Sequence, residues 1–354
     1  MQLMESKNRI GYIKTTEEKT FYNHIKKEID QLLQQADCTI AKIYAIESLI
    51  FFYNHIGEKK LQNYYCKELI KLHTENPNIN ASNPYQLPSA IHNLCMSEIN
   101  LMHFDIVTNW LKIQKTYAQI IQNDPEIKYK VEWSLASLQS FFYNVSGRFS
   151  EGTKVAKETI YWVENTEEID QRSKWIFYGN CAEIYLGAKD FKNFFYCMLK
   201  IQEYWNKIDS YNKINYTLLQ MLAHIDEKNI ETALYSFSFL EKEIIEIRKD
   251  QPTAIEKTIW HFFEQLRDKK NKKKFTDLLK ETHQQLKEHE HEIQIGEFEY
   301  ALWFEQMLSK NSYENLVRQK RKIQENNFKA YWNDDVEISI DIEAFRKCLP
   351  KRIR

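Results

Sequence analysis

The segment Phe51-Phe52-Tyr53-Asn54-His55-Ile56-Gly57 is nearly repeated, 90 residues further on, as Phe141-Phe142-Tyr143-Asn144-Val145-Ser146-Gly147. A finer echo has about half that period. Three aromatic residues recur 42 positions later: Trp133 as Trp175, Tyr143 as Tyr185, and Phe149 as Phe191. A fixed period of 20–50 residues is the sequence signature of stacked repeats. The chain is therefore predicted to be an array in which each repeat contacts mainly its neighbours.

The composition favours helices as the unit of this array. The 354 residues include only 7 Gly and 6 Pro, whereas average usage would give roughly 25 and 18. Because all-β chains need many Gly- and Pro-containing turns, this scarcity predicts long helices with short loops. Hydrophobic residues make up 43% of the chain and aromatic residues 14%, which is enough for a continuous core. The expected fold class is all-α.

Helical periodicity and its breaks divide the chain into pairs. In residues 233–247, for example, apolar residues follow each other at steps of 4, 3, 4 and 3, which places them on one helix face. The breaks predict seven antiparallel helix pairs after a lone N-terminal capping helix near 16–36. The predicted pairs are 39–56 with 59–75, 89–102 with 105–122, 126–146 with 150–165, 170–188 with 192–208, 211–227 with 230–249, 254–270 with 273–291, and 294–309 with 312–328.

Three regions follow from this division. Residues 1–38 form the N-terminal segment and capping helix, 39–328 the helical repeats, and 329–354 a C-terminal tail. Within the repeats, Pro77–Pro88 is predicted to be an exposed loop because it contains three prolines. In the tail, residues 336–343 alternate strictly between apolar and polar, which suits either a docked strand or a lead-in to a helix over 341–349.

The best-matched repeats resemble the tetratricopeptide (TPR) family. Trp133, Ser140, Tyr143, Gly147, Phe149 and Gly152 fit consecutive positions of its pattern, and Trp175, Ala182, Tyr185 and Phe191 fit it again. Phe194 stands where that family usually has a small residue, and the period of about 42 exceeds the family's 34. The resemblance implies a right-handed α-solenoid whose first helices line a groove that binds a peptide or protein.

On this resemblance, the residues expected to line the groove are Tyr44, Glu47, Asn54, Ser137, Phe141, Asn144, Glu183 and Leu186. The duplicated asparagines, Asn54 and Asn144, follow the Tyr anchor of each motif, where packing requires no amide. An Asn side chain pairs one donor group with one acceptor and can hold a peptide backbone. The alternative is that each asparagine bonds a carbonyl near the end of its own helix.

Nothing in the sequence predicts catalysis or a cofactor. The chain has no nucleotide-binding, zinc-protease or nucleophile-elbow motif, and His283, His289 and His291 do not have zinc spacing. Three functions stay open: a protein- or peptide-binding scaffold or adaptor, a peptide-sensing regulator similar to bacterial quorum-sensing TPR proteins, and a nucleic-acid-binding helical repeat. The last needs a basic groove, whereas the predicted first helices carry Glu47, Glu98 and Glu183.

The net charge and the cysteine content indicate which partners and which cellular compartment to expect. The 49 basic and 50 acidic residues give a net charge of −1, which offers no global attraction to nucleic acid or to an anionic membrane. Six cysteines without a C-x-x-C pair suit reduced thiols in the cytoplasm. The most apolar run, Ile43–Ile56, is too short and too polar to span a bilayer, and no signal peptide is expected. The oligomeric state is not predicted.

Overall fold

The computed structural model describes residues 16–121, 123–248, 253–268, 273–293, 296–329 and 347. These residues form sixteen α-helices and two short 3₁₀ helices, with no strand among them, so the all-α prediction is confirmed. The α-helices are α1 Thr16–Gln35, α2 Thr39–Ile56, α3 Lys59–Glu75, α4 Pro77–Ser82, α5 Gln86–Asn100, α6 Phe104–Ile120, α7 Pro125–Ser146, α8 Phe149–Asn165, α9 Gln171–Gly187, α10 Phe191–Gln202, α11 Ser210–Asp226, α12 Ile230–Arg248, α13 Ala254–Arg267, α14 Phe275–Glu288, α15 Tyr300–Leu308 and α16 Tyr313–Lys329.

The helices follow the predicted division closely. Each of the seven predicted pairs appears as two α-helices, and the first pair, Thr39–Ile56 with Lys59–Glu75, has the predicted bounds. Members of a pair pack against each other in α2–α3, α5–α6, α9–α10, α11–α12 and α13–α14. The spacing of apolar residues along the chain was therefore sufficient to predict the helices of these pairs.

The turn inside a pair has the same geometry five times among the described residues. In each case a residue with positive φ follows the end of the first helix by one or two positions. The residue after it donates its N–H to the carbonyl of the residue five positions earlier in the chain. This is the Schellman arrangement, which satisfies carbonyls left open at a helix C-terminus. The five residues are Gly57, Met102, Gly147, Lys189 and Lys228, with φ values of 78°, 63°, 67°, 60° and 62°. The turn thus recurs every 39 to 45 residues, and only two of its copies use glycine.

The segment Pro77–Pro88 is not the exposed loop that its prolines suggest. Pro77 opens α4, where a residue without an N–H is well tolerated, and α5 begins at Gln86. Asn80 is fully buried, and its side-chain amide makes two hydrogen bonds with His73. Oδ1 pairs with His73 Nδ1 at 2.7 Å, and Nδ2 donates to the His73 carbonyl at 3.1 Å. The Tyr117 hydroxyl also donates to the Pro84 carbonyl. These contacts hold the segment against the helices around it.

The repeat pattern predicts that the recurring aromatic residues are buried at equivalent places, but only half of them are. Phe149, Trp175 and Tyr185 are buried. Trp133, Tyr143 and Phe191 keep partly exposed surface, so the prediction was wrong for these three. On α7 the buried face runs through Val131, Ser134 and Leu138 and misses Trp133, and on α10 the fully buried aromatic is Phe194.

The chain divides into two compact units. Among the described residues, the first unit contains those from 16 to 139 together with 324–329 and 347, and the second contains those of Ser140–Ile323. These units do not coincide with the boundaries expected after residues 38 and 328. In the first unit, Tyr22, Ile25 and Ile29 of α1 share one hydrophobic cluster with Leu49, Phe52 and Tyr53 of α2. The capping helix is thus part of the same core, and residues 336–343 of the tail lie outside the described residues.

The described residues also bear on membrane crossing and on the state of the cysteines. None of the described helices has the length and apolarity needed to cross a membrane. Five cysteines are free thiols, of which Cys38 is exposed while Cys66, Cys95, Cys181 and Cys197 are buried. Cys348 lies outside the described residues.

Candidate functional site

The second unit encloses a cavity of about 520 Å³. Its walls come from the C-terminal end of α7, one face of α9 and of α11, the N-terminal end of α13, and Gly296–Tyr300 at the start of α15. All five helices are the first members of their predicted pairs. The volume lies within the range of roughly 300–1,000 Å³ that is usual for small-ligand pockets.

Helical spacing sets the lining side chains on α9 and α11. Ile176, Asn180 and Glu183 lie on one face of α9, at steps of 4 and 3, and Tyr211, Asn215 and Leu218 have the same spacing on α11. Both helices begin at an aspartate whose side chain accepts a backbone N–H. Asp170 accepts from Ser173 at 2.9 Å, and Asp209 accepts from Asn212 at 3.1 Å. These caps stabilise the helix starts.

Two glycines let aromatic rings close the walls of the cavity. The Tyr216 hydroxyl occupies the space where a side chain at Gly179 would begin, and the Tyr216 ring meets Trp175 edge-on at 6.4 Å between centroids. Gly296 has φ +93°, and an added Cβ there would lie 2.7 Å from the Phe141 ring. A larger residue at Gly179 or Gly296 would displace an aromatic wall.

Amide groups face the cavity from three helices. Asn144 Nδ2 donates to the Asn180 carbonyl at 3.1 Å, which links α7 to α9. Its Oδ1 is buried and accepts no hydrogen bond from the described residues. The Asn180 side chain likewise makes none with them. Asn215 Oδ1 accepts the Tyr300 hydroxyl at 2.7 Å. Asn144 thus bonds a carbonyl of another helix.

The cavity is rich in carboxyl groups. Among its described lining residues, four carry carboxyls, namely Glu183, Asp209, Glu256 and Glu297, while Arg172 alone carries a fixed positive charge. Asp209 caps α11. Glu256 forms the capping box of α13 by accepting the Thr253 N–H at 2.8 Å. These two carboxylates therefore have structural roles that account for their presence.

Glu183 has the most perturbed carboxyl of the four. Burial raises its pKa from the ordinary 4.5 to about 8; a hydrogen bond with Asn215 lowers the pKa, and the negative charge of Glu297 raises it further. Its side chain keeps some surface toward the cavity and makes no ion pair with a described residue. Glu297, which lines the same cavity, is held in place because it accepts the Tyr211 hydroxyl at 2.9 Å.

The residues predicted for the groove are divided between several environments. Phe141, Asn144 and Glu183 line the cavity. Leu186 is fully buried and belongs to the core, so its side chain has no surface for a ligand. Ser137 is partly buried on the part of α7 that belongs to the first unit.

The other three predicted residues lie on α2 in the first unit. Tyr44 is 57% exposed, and its carbonyl accepts the Ser48 hydroxyl at 2.8 Å. Glu47 is partly buried, which raises the pKa of its carboxyl. Asn54 is partly buried, and its side chain makes no hydrogen bond to a described residue.

Several lining residues were missed by the sequence analysis. Asn180 and Ile176 precede Glu183 by 3 and 7 residues, so continuing the helical face from Glu183 would have found them. Asn215 and Tyr211 have the same spacing on α11. Glu297 and Tyr300 gave no such signal, because they reach the cavity only through contacts between distant parts of the chain.

The comparisons with other proteins add no functional evidence: no family model matches the chain, and neither the curated proteins nor the solved structures searched include a significant match. The tetratricopeptide resemblance therefore stays a prediction. The described residues also contain no group of three or more His, Cys, Asp or Glu side chains arranged to hold a metal ion.

Proposed function

We propose that this chain is a protein- or peptide-binding scaffold or adaptor without catalysis of its own, and that its cavity holds a segment of extended peptide. In this proposal the helix pairs are TPR-like repeats of a right-handed solenoid, and the protein works in the cytoplasm, which suits its free thiols. The observation that carries the proposal is the set of asparagine amides that face the cavity from α7, α9 and α11.

Peptide backbone is the ligand chemistry that these amides match. An extended peptide presents N–H and C=O groups in alternation, and an Asn side chain offers both a donor and an acceptor. The Asn180 side chain lines the cavity and makes no hydrogen bond with a described residue, so its donor and its acceptor are open to a ligand. A hydrogen bond from it to a peptide backbone would be worth about 0.5–1.5 kcal/mol. The aromatic walls supply the apolar surface that peptide side chains need.

Selection from a library of random eight-residue peptides, displayed against the full-length chain, tests this proposal. Enriched peptides are expected to bind the Asn180→Ala variant about tenfold more weakly, because one good hydrogen bond is worth up to about 1.5 kcal/mol. Asn311→Ala is the matched control, since Asn311 is exposed and lies outside the cavity. Circular dichroism checks that both variants fold.

Two outcomes would overturn the proposal. If no peptide is enriched over an empty support, the cavity does not serve peptides. If enriched peptides bind wild type, Asn180→Ala and Asn311→Ala equally, the peptide site lies on another surface. If an oligonucleotide binds instead, with an affinity that falls steeply as salt rises because counterions are released, the nucleic-acid alternative is favoured. The carboxyl-rich lining makes that alternative a poor fit.

The peptide-sensing regulator is the second candidate, and one observation favours it. The lining residues extend from Phe141 to Tyr300, so a ligand that contacts both ends stabilises one arrangement of distant helices within the second unit. A sensor of this kind changes shape when it binds. Small-angle scattering with and without an enriched peptide separates the candidates, because a scaffold keeps its radius of gyration and a sensor does not.

A further inference from the structure

The charges of the cavity differ from what a groove for a neutral peptide requires. Asp209 and Glu256 cap helices, and Glu297 accepts the Tyr211 hydroxyl. Glu183 hydrogen-bonds with Asn215 but caps no helix, and no described cation pairs with it. Ionising a partly buried carboxyl costs free energy when no cation is near, because the charge loses its hydration. Such a group therefore does little to stabilise the fold. Its presence in the wall of a cavity calls for another explanation.

The groups that face Glu183 come from every element around it. From α11 these are Asn215, Tyr211 and Tyr216, and from the segment before α15 and its first turn they are Glu297 and Tyr300. A smaller cavity of about 20 Å³ on another side is lined by Glu183 together with Arg321, Glu299 and Tyr313. Arg321 is bound to Glu299 at 2.7 Å and to the Val145 carbonyl at 2.8 Å, so its charge is already compensated. Arg172 is exposed at the beginning of α9, 11 positions before Glu183.

Aromatic rings complete this environment. Trp175, Tyr211 and Tyr216 line the same cavity as Glu183, and the Tyr211 ring is 48% exposed. A cation over an aromatic face is attracted by the ring, and this attraction grows when water is excluded. Carboxyl groups and aromatic rings that line one cavity are a combination that binds guanidinium and alkylammonium groups.

We propose that the cavity binds a cationic side chain of its peptide ligand, an arginine or a lysine, with Glu183 as the carboxylate that pairs with it. This inference rests on the proposed function for the peptide part of the ligand, while the cation itself is recognised by Glu183, Glu297 and the aromatic walls. Binding releases a proton: the O–H bond of the Glu183 carboxyl breaks, the proton passes to the buffer, and the carboxylate pairs with the cation.

The test uses two capped probes of nearly equal size, N-acetyl-arginine amide and N-acetyl-citrulline amide, which differ in charge. Calorimetry on the full-length chain is expected to show at least tenfold tighter binding of the arginine probe. In Glu183→Gln the arginine probe is expected to lose that advantage while citrulline binding is unchanged. Glu231→Gln, an exposed carboxylate of the same unit, is the control and should behave as wild type.

Proton release gives a second readout that a merely structural Glu183 would not produce. Titrations at pH 7 in phosphate and in Tris, which differ in ionisation enthalpy, are expected to show close to one proton released per arginine probe. Because the carboxyl must lose its proton first, arginine affinity is expected to rise about tenfold from pH 7 to pH 9 for a pKa near 8. In Glu183→Gln both effects should vanish.

The outcomes separate this inference from the proposed function. If the arginine probe shows no binding at millimolar concentration, or no preference over citrulline, the cation inference is wrong, even where Asn180-dependent peptides are enriched. The inference is also wrong if the preference survives in Glu183→Gln. If the arginine probe binds through Glu183 while no peptide is enriched, the cavity serves a small guanidinium or amine ligand, and the peptide proposal fails alone.

Discussion

At the scale of single residues, the duplicated motif hides a difference that the fold creates. Gly57 and Gly147 have similar positive φ values and end their helices with the same bonds. A Cβ on Gly57 would meet nothing within 4 Å, whereas a Cβ on Gly147 would lie 2.7 Å from Val317 Cγ1 and 3.2 Å from the Arg318 nitrogen. Identical sequence positions therefore differ in how much space surrounds them.

Alanine substitutions at the two glycines are expected to differ in cost. Gly57→Ala should lower the free energy of unfolding by about 1 kcal/mol, the strain of a left-handed backbone in a residue with a Cβ. Gly147→Ala adds a steric clash and should cost about 2–4 kcal/mol. Urea unfolding of both variants and wild type measures the difference. Equal losses would mean that the contact with Val317 is absent in solution.

Glu183 makes a stability prediction that needs no ligand. Its pKa is raised from 4.5 to about 8 in the folded chain, so the folded protein binds more protons than the unfolded protein between these values. Stability therefore falls as pH rises through that window. Glu183→Gln removes the effect and is expected to be more stable than wild type at pH 8, by on the order of 1–4 kcal/mol, with no such advantage near pH 4.5.

Thermal unfolding of wild type, Glu183→Gln and Glu231→Gln at several pH values checks this. The difference between wild type and Glu183→Gln should grow between pH 5 and pH 8 and then level off, while Glu231→Gln should follow wild type. Parallel curves for all three proteins would show that the carboxyl of Glu183 titrates near its ordinary pKa.

At the scale of elements, the segment Pro77–Pro88 shows where local signals mislead. Proline was interpreted as a helix breaker, yet Pro77 occupies the first turn of α4, where it is favoured. What keeps this six-residue helix in place is the buried bond pair between Asn80 and His73. An isolated helix of this length would not form in water, so its stability comes from its neighbours.

Replacing Asn80 by Ala is expected to loosen this segment selectively. The substitution leaves the buried His73 without its partner and should cost about 1–3 kcal/mol. Hydrogen exchange should accelerate in residues 77–85 more than elsewhere in the first unit. Asn83→Ala, at an exposed position of the same segment, is the control. Unchanged exchange in Asn80→Ala would show that the bonds to His73 do not hold α4.

The turns between paired helices illustrate the same limit. Met102, Lys189 and Lys228 adopt the left-handed conformation that Gly57 and Gly147 adopt, but none of the three is a residue that signals it. The breaks between the predicted helix pairs fall at or next to all five turns, but only the two glycines indicate a left-handed backbone. The other copies follow from the packing of the two helices on either side, which outweighs the modest strain of a Cβ at positive φ.

At the scale of the whole chain, the two compact units meet at other positions in the sequence than the boundaries expected after residues 38 and 328. The first unit includes α1, whose apolar face shares a core with α2, and the division falls within α7. A boundary inferred from composition marks a change of pattern along the chain, whereas compactness depends on which residues meet in space. The long-range pairing of segments leaves no local trace, so the units could not be read from the pattern.

What the amino-acid order settled was local: the helices and their approximate ends, because these depend on contacts three to five residues apart. The resemblance to the tetratricopeptide pattern also selected Phe141, Asn144 and Glu183. The cavity itself required packing between α7, α9, α11 and Gly296–Tyr300. The burial that raises the pKa of Glu183 and its interaction with Glu297 depend on residues more than 100 positions apart, and no local pattern encodes such a contact.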